Sequence, residues 1–81
     1  MKSAREMFEE LGYTCESNGE VIAYKYYITD NHDKDAYSHE IAFCLNIKKY
    51  CTIENLGGLY VDARTHKAIT KQLEELGWLE N

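Results

Sequence analysis

The chain reads as α+β, an antiparallel four- to five-stranded meander with an N-terminal and a C-terminal helix packed on one face. Three observations predict this. Two amphipathic runs end alike, in Leu11-Gly12-Tyr13 and in Leu76-Gly77-Trp78. Glycine takes the left-handed position past a helix without a Cβ clash, and the aromatic can fold back on the last apolar turn. Between these endings lie runs of β-branched and aromatic residues with period two, separated by turn-forming stretches. Finally, 81 residues without proline suit one small domain, residues 1–81, and 44% hydrophobic content argues against disorder.

The elements follow in order. Ser3-Ala4-Arg5-Glu6 is a capping box, opening a helix from about Ala4 to Leu11. Ala4, Met7, Phe8 and Leu11 share one face of it; Arg5, Glu6, Glu9 and Glu10 share the other. Tyr13 to Glu16 reads as a short strand, and Asn18-Gly19 as a two-residue hairpin turn into a strand from Val21 to Ile28. That turn sets Cys15 against Ile22 and Tyr13 against Tyr24, with Ile22, Tyr24, Tyr26 and Ile28 on one face. Thr29 to Ser38 is a polar loop. His39 to Ile47 is the third strand, with Ile41, Phe43, Leu45 and Ile47 inward. A three-residue loop, Lys48 to Tyr50, sets Cys51 against Ile47 and keeps Ile53 inward. Asn55 to Gly58 is a turn, and Leu59-Tyr60-Val61 a short fifth strand. Asp62 caps the second helix, whose apolar face is His66, Ile69, Leu73 and Leu76, opposite Arg64, Lys67 and Lys71.

With both helices on one face, the other face of the sheet shows Ala23, Lys25, Tyr27, Ala42, Cys44 and Asn46. That set is only half polar, so it is a candidate seam for a homodimer, with Ala23, Lys25, Ala42, Cys44 and Asn46 as the dimer face.

The formal charge of −5 lies in one half of the chain. Residues 1–40 hold nine acids and four bases; residues 41–81 hold five of each. An acidic chain repels phosphate backbones, so direct nucleic-acid binding is disfavoured, while a protein partner with a basic surface is favoured. Asp30, Asp33 and Asp35 cluster in the polar loop between Tyr27 and Tyr37, and these five are the candidate partner-binding residues. Three cysteines without metal-type spacing, no signal peptide and no long apolar run point to a reduced bacterial cytoplasm and no membrane.

Other chemistries fit poorly. Asn31, Asp33 and Asp35 could open a calcium loop, but Ala36 stands where glycine is needed and Ala42 where a bidentate glutamate is needed. His32, His39 and His66 with Cys15, Cys44 and Cys51 lack close ligand pairs, and strand parity puts Cys44 and Cys51 on opposite faces, against both a shared metal and a disulfide. His39 and Cys44 also point apart, against a thiol–imidazole pair. Lys25 apart, the tyrosines lack the interleaved cations of a base-stacking platform. No metal, cofactor or catalytic residue is assigned, and the chain is expected not to be an enzyme.

MKSAREMFEELGY at one end and VDARTHKAITKQLEELGW at the other resemble short accessory proteins encoded by phages and prophages of Firmicutes. Those open with an EMFEELGY-like helix and close with an AIxKQxEELGW-like helix around a tyrosine-rich sheet. The two frames cover about a third of the chain; the Asp30–Asp35 loop and the Gly57-Gly58 turn are not part of the pattern. The resemblance implies a phage setting, in which small non-structural proteins often bind and inhibit a host protein, commonly a defence system. The expected function is therefore a small binding protein that inhibits a host protein through its acidic surface. A self-associating scaffold is the alternative, and a small metal-binding protein or enzyme the third reading.

Overall fold

The computed structural model describes residues 2–27, 37–54 and 61–79, the side chains of Tyr37 and Ser38 apart. The described elements run α1 (Ala4–Glu10), β1 (Thr14–Ser17), β2 (Val21–Tyr27), β3 (Tyr37–Cys44), β4 (Lys49–Glu54) and α2 (Ala63–Glu75). The strands form one antiparallel sheet in chain order. The predicted α+β meander with a helix at each end is what the structure shows. Leu59 and Tyr60 of the expected fifth strand lie outside the described residues, as do the Asp30–Asp35 loop and Gly57-Gly58.

Both helix starts are capped as the sequence specifies. Ser3 Oγ accepts from the Glu6 amide at 3.2 Å while the Glu6 carboxylate accepts from the Ser3 amide at 3.0 Å. Asp62 Oδ1 accepts from the Thr65 amide at 2.8 Å. One further free amide of α1 is met from far along the chain: Glu75 Oε2, in the last turn of α2, accepts from the Ala4 amide at 2.8 Å. That bond ties the start of α1 to the end of α2.

The core sits between the helices and one face of the sheet. Phe8 of α1, Tyr24 of β2, Ile41 and Phe43 of β3, and Ala68 and Ile69 of α2 are all buried together with Tyr13. Phe8 stacks on Tyr24 with ring centroids 3.9 Å apart. The Tyr24 hydroxyl is buried and donates to Gln72 Oε1 at 2.6 Å, so neither polar group is stranded. Burial pushes the Tyr24 phenol well above its ordinary range.

The structure departs from the sequence expectations in both hairpins and in α2. In the first hairpin, Gly19 and Glu20, not Asn18 and Gly19, occupy the centre of the turn. The Asn18 amide donates to the Val21 carbonyl at 2.9 Å, and Asn18 Oδ1 accepts from the amides of Glu20 and Val21 at 2.7 and 2.9 Å. A side chain that satisfies two turn amides holds Asn18 at the corner. The ladder slides by two residues, pairing Cys15 with Tyr24 rather than Ile22; parity survives.

The second correction changes parity. β3 ends at Cys44, and a four-residue connection, 45–48, leads into β4 with Lys48 at φ 55°. Cys44 pairs with Lys49, Ala42 with Cys51 and Glu40 with Ile53. An even connection turns Tyr50 and Thr52 toward the helix side, Tyr50 against Phe43 at 5.4 Å, and Ile53 away from it. Ile47 is consequently 61% exposed. Cys44 and Cys51 share one face, against the expectation that they point apart.

The third concerns α2. His66 is exposed, and Thr65, Ala68, Ile69 and Gln72 are its buried residues. The Tyr24–Gln72 bond accounts for this rotation, since burying a polar side chain requires its partner.

Candidate functional site

Pairing registers place two sets of side chains on opposite faces of the sheet. On the face away from the helices, Thr14, Lys25, Glu40 and Ile53 form one row across all four strands. Glu16, Ala23, Ala42 and Cys51 form the next, followed by Val21, Cys44 and Lys49. Four of the residues expected at a dimer seam, Ala23, Lys25, Ala42 and Cys44, are thus brought together. Asn46, expected with them, lies instead in the exposed turn after β3, because that strand ends at Cys44.

Ala23 and Ala42 are each 5% exposed although no described helix covers them. Longer neighbours overhang these small residues and leave a shallow depression of about 450 Å³, lined by Glu16, Ala23, Lys25 and Glu40 with the first hairpin. Lys25 Nζ lies 3.3 Å from Glu16 Oε1, and the Tyr27 hydroxyl donates to Glu16 Oε2 at 2.5 Å. Two carboxylates to one ammonium make the depression anionic. Of the expected partner-binding residues, Tyr27 therefore belongs to this face. Tyr37 pairs with Tyr27 through the backbone, and Asp30, Asp33 and Asp35 lie outside the described residues.

On the helix side, one row was not anticipated from the sequence: Tyr13, Tyr26, His39 and Glu54. The Tyr13 oxygen is 2.7 Å from His39 Nε2, and His39 Nδ1 is 4.0 Å from Glu54 Oε2. Tyr26 stacks flat on the imidazole at 5.2 Å, with an interplanar angle of 4°. The carboxylate beside Nδ1 favours the tautomer protonated there, which leaves Nε2 to accept from the Tyr13 hydroxyl. Burial lowers the His39 pKa, and the Glu54 carboxylate opposes that shift. Burial raises the Tyr13 phenol, against a smaller hydrogen-bond contribution from Thr65.

A tyrosine–histidine–carboxylate chain has the ingredients of a proton relay. Here its terminal hydroxyl is on Tyr13, 8% exposed, and the row straps the segment after α1 to β3 and β4. The row was hidden for two reasons. The assumed first turn set Tyr13 against Tyr24 instead of Tyr26, and the assumed second loop turned Glu54 to the wrong face. Centring the first turn on Gly19-Glu20 is the one step that would have exposed the Tyr13–Tyr26 half.

A third surface is the groove between the helices, about 280 Å³, lined by Lys2, Met7, Glu10, Leu11, Arg64 and Lys67. Its charges are partly matched already, Lys2 to Glu10 at 2.7 Å and Arg64 to Asp62 at 3.8 Å. Among the described residues no group of three or more His, Cys, Asp or Glu side chains is arranged to hold a metal. No helix among them is long and apolar enough to cross a membrane. Compared with known proteins, the chain matches no family model, no curated protein and no solved structure.

Proposed function

We propose that this chain is a small non-enzymatic binding protein of phage type, whose contact surface is the sheet face that its helices leave bare. The observation that supports this reading is the Ala23 floor, paired across the ladder with Ala42, with its anionic rim, Glu16 and Glu40 around Lys25. Small residues at the centre of a face allow close approach, and surplus carboxylates favour a basic partner surface. Inhibition of a host protein, in particular a defence component, is the biological role that the phage resemblance suggests. The acidic cluster Asp30, Asp33 and Asp35 would add to the same attraction by steering association.

The test is capture of a partner from a Firmicute lysate, followed by kinetics at two ionic strengths. Glu16→Gln with Glu40→Gln on the face, and Asp30, Asp33 and Asp35 all changed to Asn in the loop, are compared with wild type. The expected result is slower association for both variants at low salt, converging on wild type as salt screens the charges. Association as fast as wild type in both would remove the acidic surface from the function. A Tyr13→Phe variant that loses an assayed activity while remaining folded would favour the enzyme reading instead.

A further inference from the structure

We infer that β4 is a pairing edge, and that two copies of this chain join antiparallel through it, centred on Cys51, to make one eight-stranded sheet.

The two edges of the sheet are built differently. β1 is four residues long, α1 packs beside it, and its Glu16 is engaged with Lys25 and Tyr27. β4 is six residues long, and Lys49 to Ile53 are exposed on both faces. Among the described residues, the usual protections of an edge are missing from its centre. The β3–β4 ladder runs in unbroken register, whereas β2–β3 carries an irregularity at Tyr26/Tyr27. No proline interrupts β4, and Tyr50-Cys51-Thr52-Ile53 has no charge. Exposed apolar side chains gather here too: Tyr50 at 43%, Ile53 at 40%, and Ile47 in the adjoining turn.

The direction of the main-chain groups follows from one bond. The Leu45 amide donates to the Glu20 carbonyl at 2.9 Å, so odd-numbered residues of β3 point their amides and carbonyls at β2. Ala42 and Cys44 then point theirs at β4, toward Cys51 and Lys49. Tyr50 and Thr52 are left with amide and carbonyl directed out of the sheet.

A two-fold axis perpendicular to the sheet can pair those groups, and it keeps like faces together. Charge selects the register. β4 is entered through Lys48 and Lys49 and ends on Glu54. Centring the pair on Cys51 brings Lys48 of each copy, the last residue of the turn, alongside Glu54 of the other. Tyr50 and Thr52 of opposite copies then exchange main-chain hydrogen bonds. On the bare face the Lys49 stem covers Ile53 of the other copy. Shifting the centre to Thr52 loses the lysine–glutamate match. The Cys51 residues meet as a non-hydrogen-bonded pair, with Cα atoms about 4.5 Å apart, close enough for their thiols to join.

Sedimentation of the full chain under reducing conditions at micromolar concentration should give about twice the 9.4 kDa chain mass. Thr52→Pro removes an outward amide that no described strand uses, so it should yield a folded monomer. Separately, a chain with Cys15→Ser and Cys44→Ser is oxidised by copper–phenanthroline in air. Two Cys51 thiols give up two protons and two electrons to form one disulfide, and a covalent dimer should appear that Cys51→Ser abolishes. A monomeric wild type at a hundred micromolar, a dimer that survives Thr52→Pro, or a dimer whose Cys51 fails to cross-link would each overturn the proposal. Should Thr52→Pro fail to fold, the cross-link decides.

Discussion

The two helix endings carry nearly the same residues, Glu9-Glu10-Leu11-Gly12-Tyr13 and Glu74-Glu75-Leu76-Gly77-Trp78, and have the same local geometry. In α1 the Tyr13 amide donates to the Phe8 carbonyl and the Gly12 amide to the Glu9 carbonyl, both at 3.0 Å. In α2 the Trp78 amide donates to the Leu73 carbonyl and the Gly77 amide to the Glu74 carbonyl, again at 3.0 Å. Each is a Schellman ending with its aromatic at the position that folds back on the helix. Their surroundings differ. Phe8 is fully buried and Tyr13 is buried against it, 5.4 Å between rings, with Tyr26 and His39 on its other side. Leu73 and Trp78 are half-buried at the margin of the core. A local code of hydrogen bonds can thus be identical while the energy resting on it is not, because burial is decided by what the chain packs against.

The largest difference should appear at the residue under each aromatic. Phe8→Ala empties the centre of the core and should cost about 3–5 kcal/mol, enough to unfold a chain this small. Leu73→Ala should cost clearly less, since its site is open on one side. Urea midpoints for the two variants measure this, and equal losses would mean that the two endings carry equal weight.

Next come the glycines. Gly12 has φ +99°, and a Cβ there would lie 3.0 Å from Tyr26 Cε2. Gly77 has φ +74° with open space around it. Gly77→Ala should cost about 1 kcal/mol for the left-handed backbone alone. Gly12→Ala should cost about 2 kcal/mol, because the backbone is farther from any region alanine prefers and the Tyr26 ring must shift slightly to admit the Cβ. Thermal melts of both variants test the ranking, which a larger loss at Gly77 would reverse.

The smallest effect is one of pH. His39 has a lowered pKa in the folded state, so the unfolded chain binds its proton more readily, near the ordinary value of about 6.5. Its contribution to stability is present above that value and is lost as pH falls from there through the lowered folded value. The groups facing it are Tyr13, Tyr26 and Glu54. Stability followed from pH 7.5 to 5.5 should therefore decline in wild type and less so in His39→Gln. Parallel curves would separate the imidazole from the first ending. Glu6 and Asp62, whose carboxyls are held below their ordinary values by cap hydrogen bonds, act only at lower pH, outside this window.

What the sequence by itself determined were the features set by neighbours in the chain. Ser3 and Glu6, Asp62 and Thr65, and the two Leu-Gly-aromatic stops are satisfied by backbone within a few residues, so residue identity suffices to read them. Period-two runs gave the strands, and their order followed from short connections. Four of the five residues assigned to the dimer seam, Ala23, Lys25, Ala42 and Cys44, could be placed because alternation along β2 and β3 fixes which side chains share a face. The tertiary structure decided everything that depends on a connection's residue count. Asn18 could be centre or corner of its turn, and only the pairing of both strands chose. The connection 45–48 is even rather than odd, which sent Ile53 to one face and Glu54 to the other and so created the row with Tyr13 and His39. Helix rotation was likewise chosen from a distance, Gln72 being drawn in by a tyrosine forty-eight residues away. A one-residue change in a loop costs the local chain almost nothing but inverts every side chain that follows, so local sequence holds little information about it.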